Sequence, residues 1–483
     1  MNKNKKIIII TIISLIVLTG IYLLYNTYAL TTKTTNNGDY YTINLTDSNI
    51  VSLKANEEKT VICQINNTNN GTVSYGVAYN NSNIEVKVYS DSKDKATGTI
   101  GANDNKYIKL HLKNKTSSNT TVEITAVMGY ENGGDLIVPS DSTLVTGTYT
   151  APISLAKYIT NLYTNASKST VTNNSITYNY ATSESLMNDR LGGTTSSLDG
   201  GNIRYYGASP KNYVYFNCET YPSTNCELWR IIGVFDGKIK LMRNESIGNY
   251  SWDTSASSVN SGYGVNEWSQ ADLMKLLNPG HESESVGGSL YYNSKSKTCY
   301  NRNNNATTSC NFTSTGIKND TTRNMIAETT WNLGGWNSSD IFSNVMYEKE
   351  RGATTVSNSS DGITRATTWT GKIALPYPSD YGFATDLSKC SQTLSNYYSS
   401  TDSYACRSND WMYSIFKTNT FNWLLTPLSG NANNAFNVYS AGYVNKNTSV
   451  YGANGVAPVL YLGSDQDIVA GDGSQSNPYQ LKA

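Results

Sequence analysis

Apolar and polar residues alternate in short runs between residues 40 and 130 of the chain. Alternation with a period of two, broken by turn-forming pairs such as Asn70-Gly71, predicts β-strands that bury one face. Short strands at regular spacing are typical of an immunoglobulin-like β-sandwich. We predict that architecture for residues 30–150, where it serves as a stalk. The predicted strands span residues 40–45, 60–65, 73–79, 84–89, 107–112 and 121–128.

A helical pattern replaces the alternation after residue 150. Pro152 can open a helix, and apolar residues then recur at helical spacing over about three turns. A polar stretch of Ser, Thr and Asn follows. We predict a connector, partly helical and partly polar, over residues 151–184. The apolar positions of its helix are Ile153, Leu155, Ala156, Ile159, Leu162 and Tyr163.

Strand and helix patterns mix beyond this point and predict an α+β domain over residues 185–483. Two apolar runs, 228–235 and 238–242, flank Asp236-Gly237, which is a strong signal for a hairpin. Ser269, followed three residues later by Asp272, predicts a helix start. Further helices are predicted at 320–332 and 339–350, and further strands at 435–439, 442–444, 455–462 and near the end of the chain.

The opening segment predicts export. Three lysines precede an uncharged, mostly apolar run at 7–25, which is just long enough to cross a bilayer. The lysines keep their end in the cytoplasm, so the rest of the chain lies outside. We predict that residues 1–29 anchor a single-pass membrane protein. The alternative is a signal peptide cleaved after Ala29, which would give a secreted protein.

Composition narrows the classes of partner. Lys plus Arg and Asp plus Glu number 37 each, so the chain lacks the basic excess that nucleic-acid binding requires. Charged residues make up only 15%, while there are 37 Tyr. Tyr, Thr and Asn in this abundance favour strands and turns over helices.

The seven cysteines fit an exported protein. Six form three local pairs around polar, turn-rich sequence, and disulfides closing loops of this size stabilise by about 2–3 kcal/mol each. The alternative is metal binding, but the chain has no CxxC motif and only two histidines. We therefore predict neither a metal nor a cofactor, and a buried apolar role for the leftover Cys63. The predicted disulfide partners are Cys218 with Cys226, Cys299 with Cys310, and Cys390 with Cys406.

Short motifs in the last domain resemble an uncharacterised bacterial extracellular domain family. They are NYV at 212–214, LWRIIG at 228–233, WLLTP at 423–427, AFNV at 435–438 and GVAPVL at 455–460. That family ends in a W-L-R-S-P and G-V-R-P-A-L pattern. It is similar in fold to C-type-lectin-like domains and to the formylglycine-generating enzymes. The resemblance covers roughly residues 200–465 and implies a lectin-like fold there.

Two departures limit what this resemblance implies. Leu425 and Ala457 stand where the family pattern has arginines. If those arginines bind an anion in the family, that role is lost here; if they are structural, an apolar contact replaces them. The cysteine-based copper site of the formylglycine-generating enzymes is not carried over, because the cysteines are assigned to local bridges. The calcium-dependent sugar motif of true lectins is also missing from the sequence.

Motifs for nucleophilic, metallopeptidase and nucleotide chemistry are absent from the sequence. His111 is expected in a strand and His281 in a turn, neither as a catalytic base. Hydrolysis by a carboxylate pair needs no histidine, so a glycan-acting envelope enzyme remains an alternative. The candidate acids in an aromatic context are Asp253, Glu267, Asp380, Asp386 and Asp410.

A binding surface is the favoured hypothesis. Aromatic residues beside amide and carboxylate groups suit recognition of a glycan or protein ligand. We predict a cell-surface ligand-binding or adhesion protein, and a structural envelope protein is the third alternative. The predicted ligand-binding residues are Tyr377, Asp380, Tyr381, Asn409, Asp410 and Trp411.

Overall fold

The protein is described from a computed structural model. The structure describes residues 27–36, 41–45, 50–67, 71–129, 134–191, 201–257, 262–352, 361–398 and 401–483. The fold is mostly β-sheet, and the chain divides into two compact units, Met1–Ala151 and Pro152–Ala483. Among the described residues, no helix is long and apolar enough to span a bilayer. The predicted anchor segment at 7–25 lies outside the described residues.

The first unit is built from strands. Its predicted strands are confirmed, two of them, Val73–Tyr79 and Ile84–Tyr89, with the predicted bounds. The strands are β1 (Thr27–Asn36), β2 (Tyr41–Leu45), β3 (Ile50–Leu53), β4 (Glu58–Asn66), β5 (Val73–Tyr79), β6 (Ile84–Tyr89), β7 (Thr97–Ile100), β8 (Asn105–Asn114), β9 (Thr120–Gly129), β10 (Thr143–Leu144) and β11 (Thr148–Tyr149).

These strands pair in the order β10-β5-β9-β2-β1-β4-β8-β6-β11, with β3 on β9 and β7 on β5. Most neighbours are antiparallel, but β1 runs parallel to β4 and β11 runs parallel to β6. The alternation along β4 buries Val61, Cys63 and Ile65, as expected for a sheet with one apolar face. Cys63 is a free, buried thiol, as predicted, and burial raises its pKa to about 12.

The second unit combines a long sheet with smaller sheets and short helices. Its strands are β12 (Ile153–Ser154), β13 (Ser169–Asn173), β14 (Ile176–Ala181), β15 (Leu186–Asn188), β16 (Ile203–Tyr205), β17 (Tyr213–Phe216), β18 (Glu227–Phe235), β19 (Lys238–Arg243), β20 (Asn249–Tyr250), β21 (Ser296–Arg302), β22 (Ala306–Asn311), β23 (Thr329–Asn332), β24 (Thr368–Gly371), β25 (Ile373–Ala374), β26 (Phe421–Pro427), β27 (Asn434–Tyr439), β28 (Val444–Ser449), β29 (Asn454–Gly455), β30 (Val459–Tyr461), β31 (Asp467–Ala470) and β32 (Gln480–Leu481). Its helices are α1 (Leu155–Asn165), α2 (Asp272–Leu277), α3 (Asp320–Met325), α4 (Ser343–Glu350), α5 (Pro378–Ala384), α6 (Thr401–Ser408) and α7 (Tyr413–Phe416).

The long sheet of this unit has the order β13-β14-β15-β16-β18-β19-β30-β25, and β17 also pairs with β18. A second sheet has the order β20-β29-β26-β27-β28. The predicted hairpin around Asp236-Gly237 is confirmed as β18 and β19. The polar part of the predicted connector is instead a hairpin, β13 and β14, which begins the long sheet.

Three of the predicted helices have the wrong bounds, and the one expected over 339–350 begins at Ser343. The helix expected from Ser269 begins at Asp272, because the Ser269 hydroxyl donates to Glu267 instead of capping it. The helix expected over 320–332 ends at Met325. Its last residues form β23, where β-branched threonines and an aromatic side chain favour a paired strand.

The three predicted disulfides are all present in the second unit. They join Cys218 to Cys226, Cys299 to Cys310 and Cys390 to Cys406, with sequence separations of 8, 11 and 16. The core of this unit is rich in aromatic side chains. Trp229 and Trp423 are fully buried.

Candidate functional site: an exposed aromatic ridge

Five of the six residues predicted to bind a ligand are buried, each at most 4% exposed. Asn409 is half-buried. The rings expected to form an exposed platform lie in the core of the second unit. Their polar atoms have partners inside the protein, as where Trp411 Nε1 donates to the Tyr205 carbonyl at 3.0 Å. Covered side chains offer no surface to a large ligand in this conformation. The five buried residues are Tyr377, Asp380, Tyr381, Asp410 and Trp411.

Two of these buried residues, Tyr381 and Asp410, hydrogen-bond to backbone groups of a neighbouring surface. The Tyr381 hydroxyl donates to the Gly442 carbonyl at 2.7 Å. Asp410 accepts from the backbone N–H groups of Met412 at 2.8 Å and Tyr413 at 3.3 Å. Both interactions fix backbone that carries surface tyrosines.

That surface bears a row of four aromatic side chains, here named the aromatic ridge: Phe421, Tyr439, Tyr443 and Tyr398. Their ring centroids are 5.1, 5.2 and 4.3 Å apart in that order. Tyr398 is 49% exposed, and the other three are half-buried. The separations of the first two pairs lie in the range of roughly 4.5–7 Å that aromatic pairs prefer, and Tyr398 lies slightly closer to Tyr443.

Strand pairing and a tight turn place the ridge. Phe421 at the start of β26 lies opposite Tyr439 at the end of β27. The chain then turns through Gly442, whose N–H donates to the Tyr439 carbonyl at 2.7 Å, and brings Tyr443 beside Tyr439. Gly442 has φ +101°, and an added Cβ would lie 2.9 Å from Arg407, so glycine is required there.

A cation and two more tyrosines flank this turn. The Arg407 guanidinium donates to the Ala441 carbonyl at 2.5 Å and lies 5.2 Å from the ring centre of Tyr404, which is 62% exposed. The Tyr413 hydroxyl donates to the Ser440 carbonyl at 3.1 Å. A guanidinium and a phenol hydroxyl are therefore bonded to the backbone of this turn.

The disulfide Cys390–Cys406 anchors the segment that supplies Tyr398 of the ridge and the neighbouring Tyr404. It closes the stretch containing Tyr398 and Tyr404, and Arg407 follows Cys406 directly. Burial raises the pKa of Tyr443, and the nearby phenols of Tyr398 and Tyr439 raise it further. The Tyr443 hydroxyl therefore stays protonated and able to donate a hydrogen bond at neutral pH.

Sequence reasoning missed the ridge because its tyrosines stand among Asn, Ser and Thr, like many others in the chain. One local signal was available. Tyr439 and Tyr443 enclose Ser-Ala-Gly, a turn that brings two aromatic side chains to one edge of a hairpin.

The five candidate acids have structural partners. Asp253, Glu267, Asp386 and Asp410 each accept from the backbone N–H two residues further on, at 2.8–3.1 Å. Asp380 forms ion pairs. The bonds to the backbone N–H two residues further on are those of turn and cap residues.

The first unit has a groove of about 810 Å³ beside β3 and β4. Charged residues line it, and they bond to neighbouring groups: Glu58 lies 2.8 Å from Lys113, and Lys59 donates to the Ser52 carbonyl at 2.8 Å. We assign no ligand to this groove. Within the described ranges, no group of three or more His, Cys, Asp or Glu residues could hold a metal ion.

Comparison with known proteins finds no matching family model, no matching curated protein and no matching solved structure. The candidate site is therefore defined by its geometry: a partly exposed row of rings on a disulfide-anchored turn, flanked by a cation and hydroxyl groups.

Proposed function

We propose that this protein binds polysaccharide at the bacterial cell surface and that the aromatic ridge is the binding surface. In this proposal a lectin-like C-terminal domain is displayed on an immunoglobulin-like stalk. The opening apolar segment attaches the chain to the membrane. The observation that carries the proposal is the row formed by Phe421, Tyr439, Tyr443 and Tyr398, with neighbouring centroids at 4.3–5.2 Å.

The chemistry of the ridge suits sugar chains. The face of an aromatic ring carries partial negative charge and attracts the C–H groups that cover one face of a pyranose. Tyrosine keeps its ring rigid at a small cost in conformational entropy, and its hydroxyl is a hydrogen-bond partner. Several rings in a row suit a chain of sugars better than a single sugar.

The disulfides support a location outside the cytoplasm. Three bridges in one unit are typical of proteins that fold in an oxidising compartment. A lysine-flanked apolar segment at the start of the chain supports the same location.

A glycan and cell-wall polysaccharide array with the full chain in detergent tests this proposal. We expect binding to at least one polysaccharide, and we expect Tyr443→Ala and Tyr398→Ala each to weaken it about tenfold, as for central aromatic contacts of an interface. The matched control is Tyr263→Ala, which removes a 41%-exposed tyrosine elsewhere in the same unit. Its affinity is expected to stay within about twofold, as for residues outside a hot spot.

Three outcomes would overturn the proposal. They are binding that the ridge variants leave unchanged, binding to proteins only, and hydrolysis of labelled peptidoglycan without stable binding. The last would favour the envelope-enzyme alternative.

A further inference from the structure

A lysine and two aspartates meet an arginine inside the second unit. Lys240 Nζ on β19 lies 2.5 Å from Asp380 Oδ2 on α5, and both side chains are at most 1% exposed. Arg204 Nη1 lies 2.9 Å from the other oxygen of Asp380. Arg204 Nε also lies 2.5 Å from Asp189, so the cluster holds two cations and two carboxylates.

Aromatic rings enclose the amine of Lys240. Its Nζ lies 4.5 Å from the ring centre of Tyr377 and 5.3–5.6 Å from those of Phe235, Trp331 and Tyr461. Burial in these surroundings lowers the pKa of Lys240 to about 8, even though Asp380 opposes the shift. A desolvated lysine of this kind is a stronger nucleophile than a surface lysine.

The carboxylate of Asp380 is held by groups on both oxygens. Oδ2 also accepts from the backbone N–H of Tyr377 at 3.0 Å. Burial alone would raise the pKa of Asp380, but Lys240 and Arg204 hold it below its ordinary value. Its neighbour Ser379 donates to Glu350, an acid whose pKa burial raises to about 7. Glu350 is therefore partly protonated near neutral pH, and it is hydrogen-bonded to the residue that precedes Asp380.

We propose that Lys240 and Asp380 condense into an intramolecular amide that covalently joins β19 to α5. The Lys240 amine attacks Cγ of Asp380, and a bond forms between Nζ and Cγ. Oδ1 takes up the negative charge in the tetrahedral intermediate beside Arg204 and then becomes the amide oxygen. One ammonium proton passes to Oδ2 before the attack and frees the lone pair of the amine. A second proton passes from the nitrogen to Oδ2 in the intermediate, and Oδ2 then leaves as water.

This step needs no other reactant. An ammonium and a carboxylate give one neutral amide, which keeps one proton on nitrogen, and one water. Folding supplies the driving force for the approach, because it holds the two groups in contact and excludes bulk water from the product. The Arg204 guanidinium stabilises the charge that develops on Oδ1, as donors of an oxyanion hole do.

The product would also relieve an electrostatic cost. Buried ion pairs gain little net stability because both ions lose their hydration. Condensation removes one positive and one negative charge and leaves Arg204 paired with Asp189. The amide would close a ring through residues 240–380, which a reducing agent cannot open.

Intact-mass measurement of the purified full chain, reduced and denatured, tests the proposal. We expect a mass lower than that of the sequence by one water, and a proteolytic peptide that joins the Lys240 and Asp380 segments. Lys240→Met should restore the full mass, whereas the surface control Lys417→Met should keep the water loss. Asp380→Asn should give the same linked peptide as the wild type, with ammonia released instead of water.

The mass of the wild-type chain shows whether the amide forms even if a variant fails to fold. A full-mass chain that shows no linked peptide after prolonged incubation of the folded protein overturns the proposal and leaves an ion pair. So does a water loss that maps to other residues. A linked fraction that grows with time supports it.

Discussion

The two units of this molecule are stabilised in different ways. The first buries aliphatic side chains from alternating strands and keeps its ion pairs near water, as with Glu58 and Lys113, each nearly half exposed. The second buries charges, including Arg204 and Asp189, and contains all three disulfides and all eight tryptophans. A repeated apolar pattern suffices for the first unit. The second depends on individual residues meeting specific partners.

This difference determines which substitutions reduce the stability of each unit most. An aliphatic core loses stability in proportion to the apolar area removed from it. A buried network instead loses much of its stability when one partner is missing, because the remaining charge cannot return to water. Tryptophan fluorescence reports on the second unit alone, so the two responses can be measured separately in one chain.

The largest expected effect comes from reduction of the disulfides. Their three loops should each contribute about 2–3 kcal/mol to the unfolding free energy. A reducing agent should strongly lower the midpoint temperature of the second unit, followed by tryptophan fluorescence during thermal unfolding. It should leave the transition of the first unit, followed by circular dichroism, in place, because Cys63 forms no bridge. Equal shifts in both transitions would contradict the contrast between the units.

A pair of matched substitutions sharpens the contrast. Arg204→Met removes the cation beside Asp189 and should cost about 3–5 kcal/mol. Lys113→Met removes a cation from the exposed pair with Glu58 and should cost at most about 1 kcal/mol. Chemical denaturation of both variants measures the two costs. Similar values would show that burial does not set the energetics of these pairs.

The smallest effect is a difference in pH response. Burial raises the pKa of Asp272 to about 6, of Glu350 to about 7 and of Asp410 to about 8. A raised carboxyl pKa gives stability that is present below the unfolded value near 4 and is lost as pH rises through the folded value. The second unit should therefore be less stable at pH 8 than at pH 5, by at most about 1.4 kcal/mol per pH unit for each group.

The first unit should respond with the opposite sign. A hydrogen bond from Lys113 lowers the pKa of Glu58, so its contribution is present at neutral pH and lost on acidification below the unfolded value. Unfolding midpoints between pH 3 and 8 measure both trends. Asp410→Asn should flatten the pH dependence of the fluorescence-detected midpoint of the second unit and leave that of the first unit unchanged. If the second unit became steadily more stable toward pH 8, the buried carboxyl groups would not have the raised pKa values on which this prediction rests.

The sequence predicted the strands of the first unit well, because a period of two is a local signal. It also predicted the three disulfides, whose partners are near in sequence. It failed where a distant partner decides the outcome. Thr329 and Trp331 carry no mark that separates them from the preceding helix, and their pairing with β24 is set by residues about forty positions away.

The exposure of the candidate rings also depends on distant partners. Tyr381 and Tyr398 are both tyrosines in polar surroundings, yet one is fully buried and the other is 49% exposed. Which of them meets water depends on the packing of β27, β28 and the disulfide-closed segment. No local pattern encodes that arrangement. The residues named from the sequence are therefore mostly buried, whereas the rings of the aromatic ridge come from neighbouring segments.

The parallel pairing of β1 with β4 and of β11 with β6 has a mechanical consequence. Because β4 and β6 both run antiparallel to β8, the first and last strands of the unit point the same way. Tension applied at the two ends of the unit would act along the strands in opposite directions and load their hydrogen bonds in shear, over five paired positions between β1 and β4 and two between β11 and β6. Hydrogen bonds loaded in shear break together and not one by one, so the two paired positions of β11 would be the first to yield.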